Sequence, residues 1–169
     1  VSKKSLKAGM LTLALHARKS SILFAVVTAV LLLFSTFFSP MHADAAQSKS
    51  QKAVAYSKKI TNSPYKWGGT TPKGSDASGF TQYVFSKSVA KKLPRTSADQ
   101  YKTGTSVAKN KLKAGDLVFY KTDGKKVSFV AIYIGNNKFI GATSKGVKTQ
   151  DMNLDYWKKR YVGAKRVVN

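Results

Sequence analysis

The stretch TPKGSDASGF (residues 71–80) has the layout of an approach to a nucleophile, with no nucleophile in it. A glycine-containing lead-in gives way to Asp76, Ala77, Ser78 and Gly79, and an apolar helical pattern follows. Asp is a strong N-cap, because its side-chain oxygens accept hydrogen bonds from the unpaired N–H groups of a first helical turn. The spacing therefore predicts a helix starting near Asp76 and running to about Lys91, stopped by Leu93-Pro94, with Phe80, Val84 and Tyr83 toward the core. A reactive group at such a helix start would gain from the positive end of the helix. Ala77 has no such chemistry.

Elements of two kinds flank this helix. Upstream, Ala53, Val54, Tyr56 and Ile60 share a face of a helix beginning at Lys52, and Asn62-Ser63-Pro64 ends it. YKWGGTTPKG (residues 65–74) reads as a loop, and TSADQYKTG (residues 96–104) as a short turn capped by Thr96 or Ser97. After Gly115-Asp116 the period changes to two. DLVFYK, SFVAIYIG and KFIGATS are rich in β-branched and aromatic residues, with a hairpin marked by Gly135-Asn136-Asn137. GVKTQDM and YVGAKRVV read as further strands, with NLDYWKKR as the turn between them. Helices followed by a meander imply an α+β fold, helices first, on a mostly antiparallel sheet.

The 169 residues suffice for one domain with a real core. Lys and Arg number 30 against 7 acidic residues, a net charge of +23, and every acidic side chain is an Asp. Such an excess favours polyanionic surroundings. Cysteine is absent, which excludes disulfides and thiol catalysis. The two histidines, His16 and His42, lie in an N-terminal stretch that has its own reading. Basic residues 3–19 precede an apolar run over residues 21–38, and Ala43-Asp44-Ala45 supplies a small-x-small site. This predicts a signal peptide over residues 1–45, a linker over 46–51 and one domain over 52–169, secreted and wall-associated. An uncleaved membrane anchor is the alternative, since the run approaches the ~20 residues that span a bilayer. Beyond residue 45 the chain carries 25 basic and 6 acidic residues and neither Cys nor His.

Four blocks carry a resemblance: SPYKWGGTTPKGSDASGFTQYVF (63–85), LPRTSADQY (93–101), LKAGDLVFYKTDGKKVSFVAIYIGNNKFIGATSKGV (112–147) and DYWKKRYVGAKRV (155–167). Together, in this order, they resemble the NlpC family of bacterial cell-wall peptidases over residues 52–168. The resemblance implies a papain-like α+β fold. The family's members are secreted cysteine endopeptidases that cut peptidoglycan stem peptides, typically between D-γ-glutamate and a diamino acid. Their cysteine stands in a D-C-S-G block, where the helix terminus stabilises thiolate. A strand histidine in an H-V-x-I-Y block acts as base, and a third polar residue orients it.

Set against that pattern, the cysteine position here is Ala77, the histidine position is Phe129 and the third position is Gly141, twelve residues on. Ser75 also departs from it, an aromatic being usual before the aspartate. Ser78 is no substitute nucleophile: it has no histidine to serve as base, and it is turned about 100° from Ala77 on a helix. Six scattered Asp give no metal-ligand spacing, so neither metal nor cofactor is expected. The resemblance places Tyr65, Trp67 with Gly68-Gly69, Asp76 and Ser78 along a groove for the stem peptide, with Asp76 holding its free amino end. Core packing for Tyr65 and Trp67, and plain capping for Asp76, are the alternatives. Phe129 at the base position would put apolar bulk into that groove.

The expectation is thus a secreted, non-catalytic, monomeric domain of this fold that binds peptidoglycan stem peptides and modulates wall hydrolases. A disarmed copy of an active D-γ-glutamyl-diamino acid endopeptidase is the alternative. The lysine clusters, Lys58-Lys59, Lys91-Lys92, Lys125-Lys126 and Lys158-Lys159-Arg160, are spread along the chain without interleaved aromatics. They suit teichoic-acid phosphates or anionic lipid headgroups, and give no specific nucleic-acid pattern.

Overall fold

The computed structural model describes residues 47–169. The signal-peptide reading and both histidines lie outside the described residues.

Helix α1 spans Lys49–Lys59 and so begins inside the stretch read as linker. Apolar periodicity starts only at Ala53, which hides the first turn. The readable signal is a capping box: Ser48 Oγ accepts from Gln51 N at 3.2 Å, and Gln51 Oε1 accepts from Ser48 N at 2.9 Å. Ala53 and Val54 are buried, while Tyr56 and Ile60 are only partly so. A short hairpin follows, β1 (Thr70–Thr71) and β2 (Gly74–Ser75), within the segment expected to be loop.

Helix α2 (Ala77–Val89) starts where the sequence places it and stops a little earlier, with Ala90 in the left-handed conformation as C-cap. Its first five residues are all buried, as are Val84 and Phe85, so it is a central helix with no single apolar stripe. For that reason Phe85, rather than Tyr83, is the fully buried aromatic of its second half. Such central packing needs close backbone approach. A Cβ on Gly79 would collide with the Gly69 carbonyl oxygen, and one on Gly69 with that of Gly74. Glycine alone fits both positions.

After the short helix α3 (Ser97–Gln100), capped by Thr96, six strands form one antiparallel sheet. They are β3 (Thr105–Val107), β4 (Leu117–Tyr120), β5 (Phe129–Gly135), β6 (Lys138–Thr143), β7 (Gly146–Asp151) and β8 (Tyr161–Arg166), in the order β3-β8-β4-β5-β6-β7. Strand β3 is an exposed three-residue edge without apolar alternation, which is why periodicity does not find it. The β5–β6 turn is a two-residue loop with Asn136 at φ 51° and Asn137 at φ 54°, and Gly135 pairs with Lys138 across it. Two positive φ angles define the type I′ geometry that suits strand twist. A short helix α4 (Asp155–Lys158) lies within the turn before β8.

Helix α2 packs on β5 and β6, and α1 packs on α2. The second and third strands of the meander are thereby held against the N-terminal end of α2. Behind them, Arg166 of β8 makes two 2.8 Å hydrogen bonds to Asp116, a carboxylate almost wholly buried at the entry to β4. Pairing of this kind offsets the desolvation of a buried charge.

Candidate functional site

The site is built outward from the Asp76 carboxylate, the N-cap of α2. Its Oδ1 accepts from Gly79 N at 2.8 Å, which satisfies the first helical turn. Its Oδ2 accepts from Gly68 N at 3.0 Å, which ties the Tyr65–Gly69 turn to the helix start. Arg95 then closes on it as a fork, Nη1 to Oδ1 at 3.0 Å and Nη2 to Oδ2, in the bidentate geometry that suits guanidinium and carboxylate. Ser78 Oγ donates to Oδ1 at 3.2 Å and accepts from Arg95 Nη1 at 3.0 Å. The cap reading of Asp76 therefore holds, and its oxygens are already fully engaged.

Arg95 is a site residue that sequence reading passed over, although it sits within a quoted block. Its partner is nineteen residues away, and only the local fold brings the two together. Gln100, fully buried, does much of that work. Its Nε2 donates to Pro94 O at 2.8 Å and Ser78 O at 3.1 Å, and its Oε1 accepts from Thr81 Oγ1 at 2.7 Å. The chain before α3 is thus stapled to the first turn of α2, with Arg95 between. Burial works against the charged form of Asp76. The Arg95 guanidinium and the N–H groups of Gly79 and Gly68 outweigh it and hold the carboxyl below its usual range.

A cleft of about 960 Å³ opens at this helix start. Tyr65, Trp67, Asp76, Ser78 and Arg95 line one side of it, Ala77 lies at its floor, and Phe129 stands on the sheet side. The structure thus brings Tyr65, Trp67, Gly68, Asp76, Ala77, Ser78 and Phe129 together on one cleft, while Gly69 and Gly141 do not line it. Trp67 is 85% exposed and Tyr65 is 37% exposed, so the core-packing alternative fails for both. Trp67 is displayed on a tight turn closed by Gly69 N to Lys66 O, where no neighbour can cover it.

Phe129 is 7% exposed and belongs to an aromatic cluster. Its ring centroid lies 5.0 Å from that of Trp157 and 6.0 Å from those of Tyr120 and Phe139. It also reaches over Gly141. A Cβ at position 141 would lie 2.9 Å from Phe129 Cζ and 2.9 Å from Ala131 Cβ. The phenyl ring occupies the room a side chain at 141 would need, so positions 129 and 141 are physically coupled. Among the described residues, no three of His, Cys, Asp or Glu gather as metal ligands.

Comparison with known proteins follows the same outline. Residues 62–166 match the model of the NlpC/P60 family. The chain is 40% identical over 136 residues to murein DD-endopeptidase MepH of Escherichia coli K12, covering 75% of this chain and 50% of that enzyme. It is 46% identical over 116 residues to the probable peptidoglycan endopeptidase LytE of Bacillus subtilis 168, covering 68% and 34% respectively. The chain thus spans half or less of the length of these two curated relatives. Among solved structures, an NlpC/P60 family protein from Bacillus cereus ATCC 10987 matches with a TM-score of 0.66 at 34% identity, over 71% of this chain and 40% of that one.

Two measurements test the site. Because the Asp76 carboxyl is more acidic folded than unfolded, its contribution to stability is complete above the unfolded value near 3.9 and is lost as pH falls through the lower folded value. Arg95→Gln removes the guanidinium, so the Asp76 carbon resonance should titrate at higher pH and acid unfolding should begin earlier. An unchanged titration would show that Arg95 does not set this charge. For the coupled pair, Gly141→Ala should cost about 1–3 kcal/mol by overpacking. Phe129→Ala alone should cost about 3–5 kcal/mol. The double variant should fall well short of the sum in urea melts, the Ala131 contact keeping the rescue partial.

Proposed function

The chain belongs to the NlpC/P60 family, with the papain-like arrangement of helices on an antiparallel sheet, and on that premise we propose that it is a secreted wall-binding domain that does not hydrolyse its ligand. The observation that carries this reading is the pairing of Ala77 and Phe129 on one cleft whose surrounding frame is intact. Thiol chemistry has no sulfur there, and from residue 46 onward the chain has no imidazole to act as base. The relatives are described as acting on murein or peptidoglycan, so the ligand proposed is peptidoglycan, bound by its stem peptide along Tyr65, Trp67, Asp76 and Ser78.

The saturation of Asp76 refines how a free amino end would be held. The carboxylate faces Arg95 already, so an incoming ammonium shares it with the guanidinium or displaces it. A neutral amide on the ligand can accept from the remaining Arg95 N–H donors without that competition, whereas a ligand carboxylate would compete with Asp76 for the guanidinium. Modulation of active wall hydrolases by occupying their substrate is the role that follows. Export rests on the basic, apolar and A-x-A segments of the N-terminus. Anionic wall polymers such as teichoic acid add a salt-sensitive attraction to the basic surface.

The second reading, a disarmed copy of an active endopeptidase, is favoured by the undisturbed helix start: cap, glycine contact and Arg95 fork are all present. Two experiments separate the readings. The chain should sediment with purified peptidoglycan at high salt while releasing no new amino groups from it; release of amino groups would overturn the proposal. Ala77→Cys with Phe129→His should then confer slow release. If that variant folds and binds but stays inert, the groove has changed beyond its two reactive positions, and the disarmed-copy reading falls.

A further inference from the structure

Large apolar side chains that remain exposed among the described residues are few: Tyr65, Trp67, Leu154 and Tyr156. Three of these four line the cleft described above. Aromatic exposure on this molecule is therefore concentrated where the candidate site lies, the pattern of a binding surface rather than of scattered surface residues.

The rings are also held for display. Trp67 rides on a turn whose next residue, Gly68, donates to Asp76. Tyr156 is fixed from two sides, with the Arg160 guanidinium 4.0 Å from its centroid and Trp157 against it edge-on at 4.9 Å. A ring fixed like that of Tyr156, and a backbone fixed like that under Trp67, lose little freedom when a ligand arrives. Trp67 has one more property. It also lines a second, smaller hollow of about 340 Å³, together with Lys66, Gly69, Lys73 and Gly74. One indole thus forms the ridge between two hollows, which suits a linear polymer passing over it better than a short ligand confined to one.

The chemistry of the occupant follows from the faces on offer. An aromatic face is the negative side of the ring quadrupole and attracts polarised C–H groups laid flat against it. A pyranose ring offers such a C–H face, with hydroxyls at its rim for polar neighbours. A peptide of small residues offers only narrow polar amide planes, with less C–H surface to cover an indole than a sugar ring has. Resting on the wall-binding reading above, we infer that the cleft takes the glycan strand as well as the stem peptide, with sugar rings stacked on Trp67 and Tyr156 and the peptide led inward past Asp76 and Arg95.

The experiment uses the full chain at high salt, where retention by charge alone is screened. The probes are β-1,4-linked N-acetylglucosamine oligomers, wall glycan strands stripped of peptides, sugar-free stem peptide and intact peptidoglycan. The chain has two tryptophans, and Trp157 is only 6% exposed, so a change in the red-shifted emission reports Trp67. Both sugar probes should blue-shift that emission saturably. In retention on the immobilised sugars, which needs no tryptophan, Trp67→Ala should weaken binding at least about tenfold with the melting curve unchanged, and Tyr156→Ala should weaken it too. If stem peptide and intact peptidoglycan bind, but sugars give no shift or bind Trp67→Ala equally well, the glycan inference is overturned and the wall-binding reading stands. If no probe binds, both fall.

Discussion

Everything near the cleft depends on how one carboxylate is shared. Two oxygens of Asp76 receive donors from a turn eight residues before it, from its own helix three residues on, and from an arginine nineteen residues later. Removing any one donor loosens a different segment, but removing the carboxylate frees all three. As a helix cap alone it contributes about 1 kcal/mol. Hydrogen bonds to charged groups add a net of about 1.5–3 kcal/mol each, and the partial exposure of Arg95 screens its share. The geometric consequence outweighs the energetic one. Asp76 sets where Trp67, Ala77 and Arg95 stand relative to one another, and none of those constraints involves the atom at the nucleophile position. Alanine at the first position of a helix costs the helix nothing. A frame of this kind is indifferent to whether residue 77 is reactive.

The sheet side behaves differently. There Tyr120, Phe129, Phe139 and Trp157 form an aromatic cluster, and Phe129 stands over the empty side-chain position of Gly141. Packing gains from the phenyl ring, but the enclosure has a cost. Among the described residues, the buried hydroxyls of Tyr120 and Tyr161 have no hydrogen-bond partner. Burial pushes both phenols up, Tyr120 far above its ordinary value and Tyr161 to about 12. An unpaired buried hydroxyl costs about 1–3 kcal/mol. The cluster thus accepts two unpaired hydroxyls in exchange for a continuous apolar wall.

How much of this was legible in the sequence depends on the range of each interaction. The Asp76 cap, the Thr96 cap and the Asn136-Asn137 turn follow from residues within three or four positions of one another, and all could be read directly. The strands from β4 onward were legible because alternation over several residues marks a half-buried or buried ladder. Strand β3 was not, since a three-residue exposed edge has no alternation to show. The first turn of α1 was hidden by lysines and glutamine, although Ser48 and Gln51 carried the capping signature. Trp67 misled in one of its readings because tryptophan is usually covered, and only the tight turn explains why it is not. Arg95 with Asp76, Gln100 with Pro94 and Phe129 with Gly141 are contacts between segments brought together by α2, α3 and the β5–β6 pairing. No local pattern announces such contacts.

The two sides of the cleft bear on function through their contrast. Had the chain simply lost its chemistry with no further demand on the site, the exposed tryptophan and the arginine fork would be the costly features to keep. The first holds apolar surface in water, and the second orders a long side chain at a half-exposed position. Both are in place, beside Ala77 and Phe129 on the same cleft. On the reading proposed above, the first pair are the features that would contact a ligand, and the second pair bring no group that could transform it. A cleft with this division is suited to holding a wall fragment, and Phe129 makes its inner wall less hospitable to the water that hydrolysis requires.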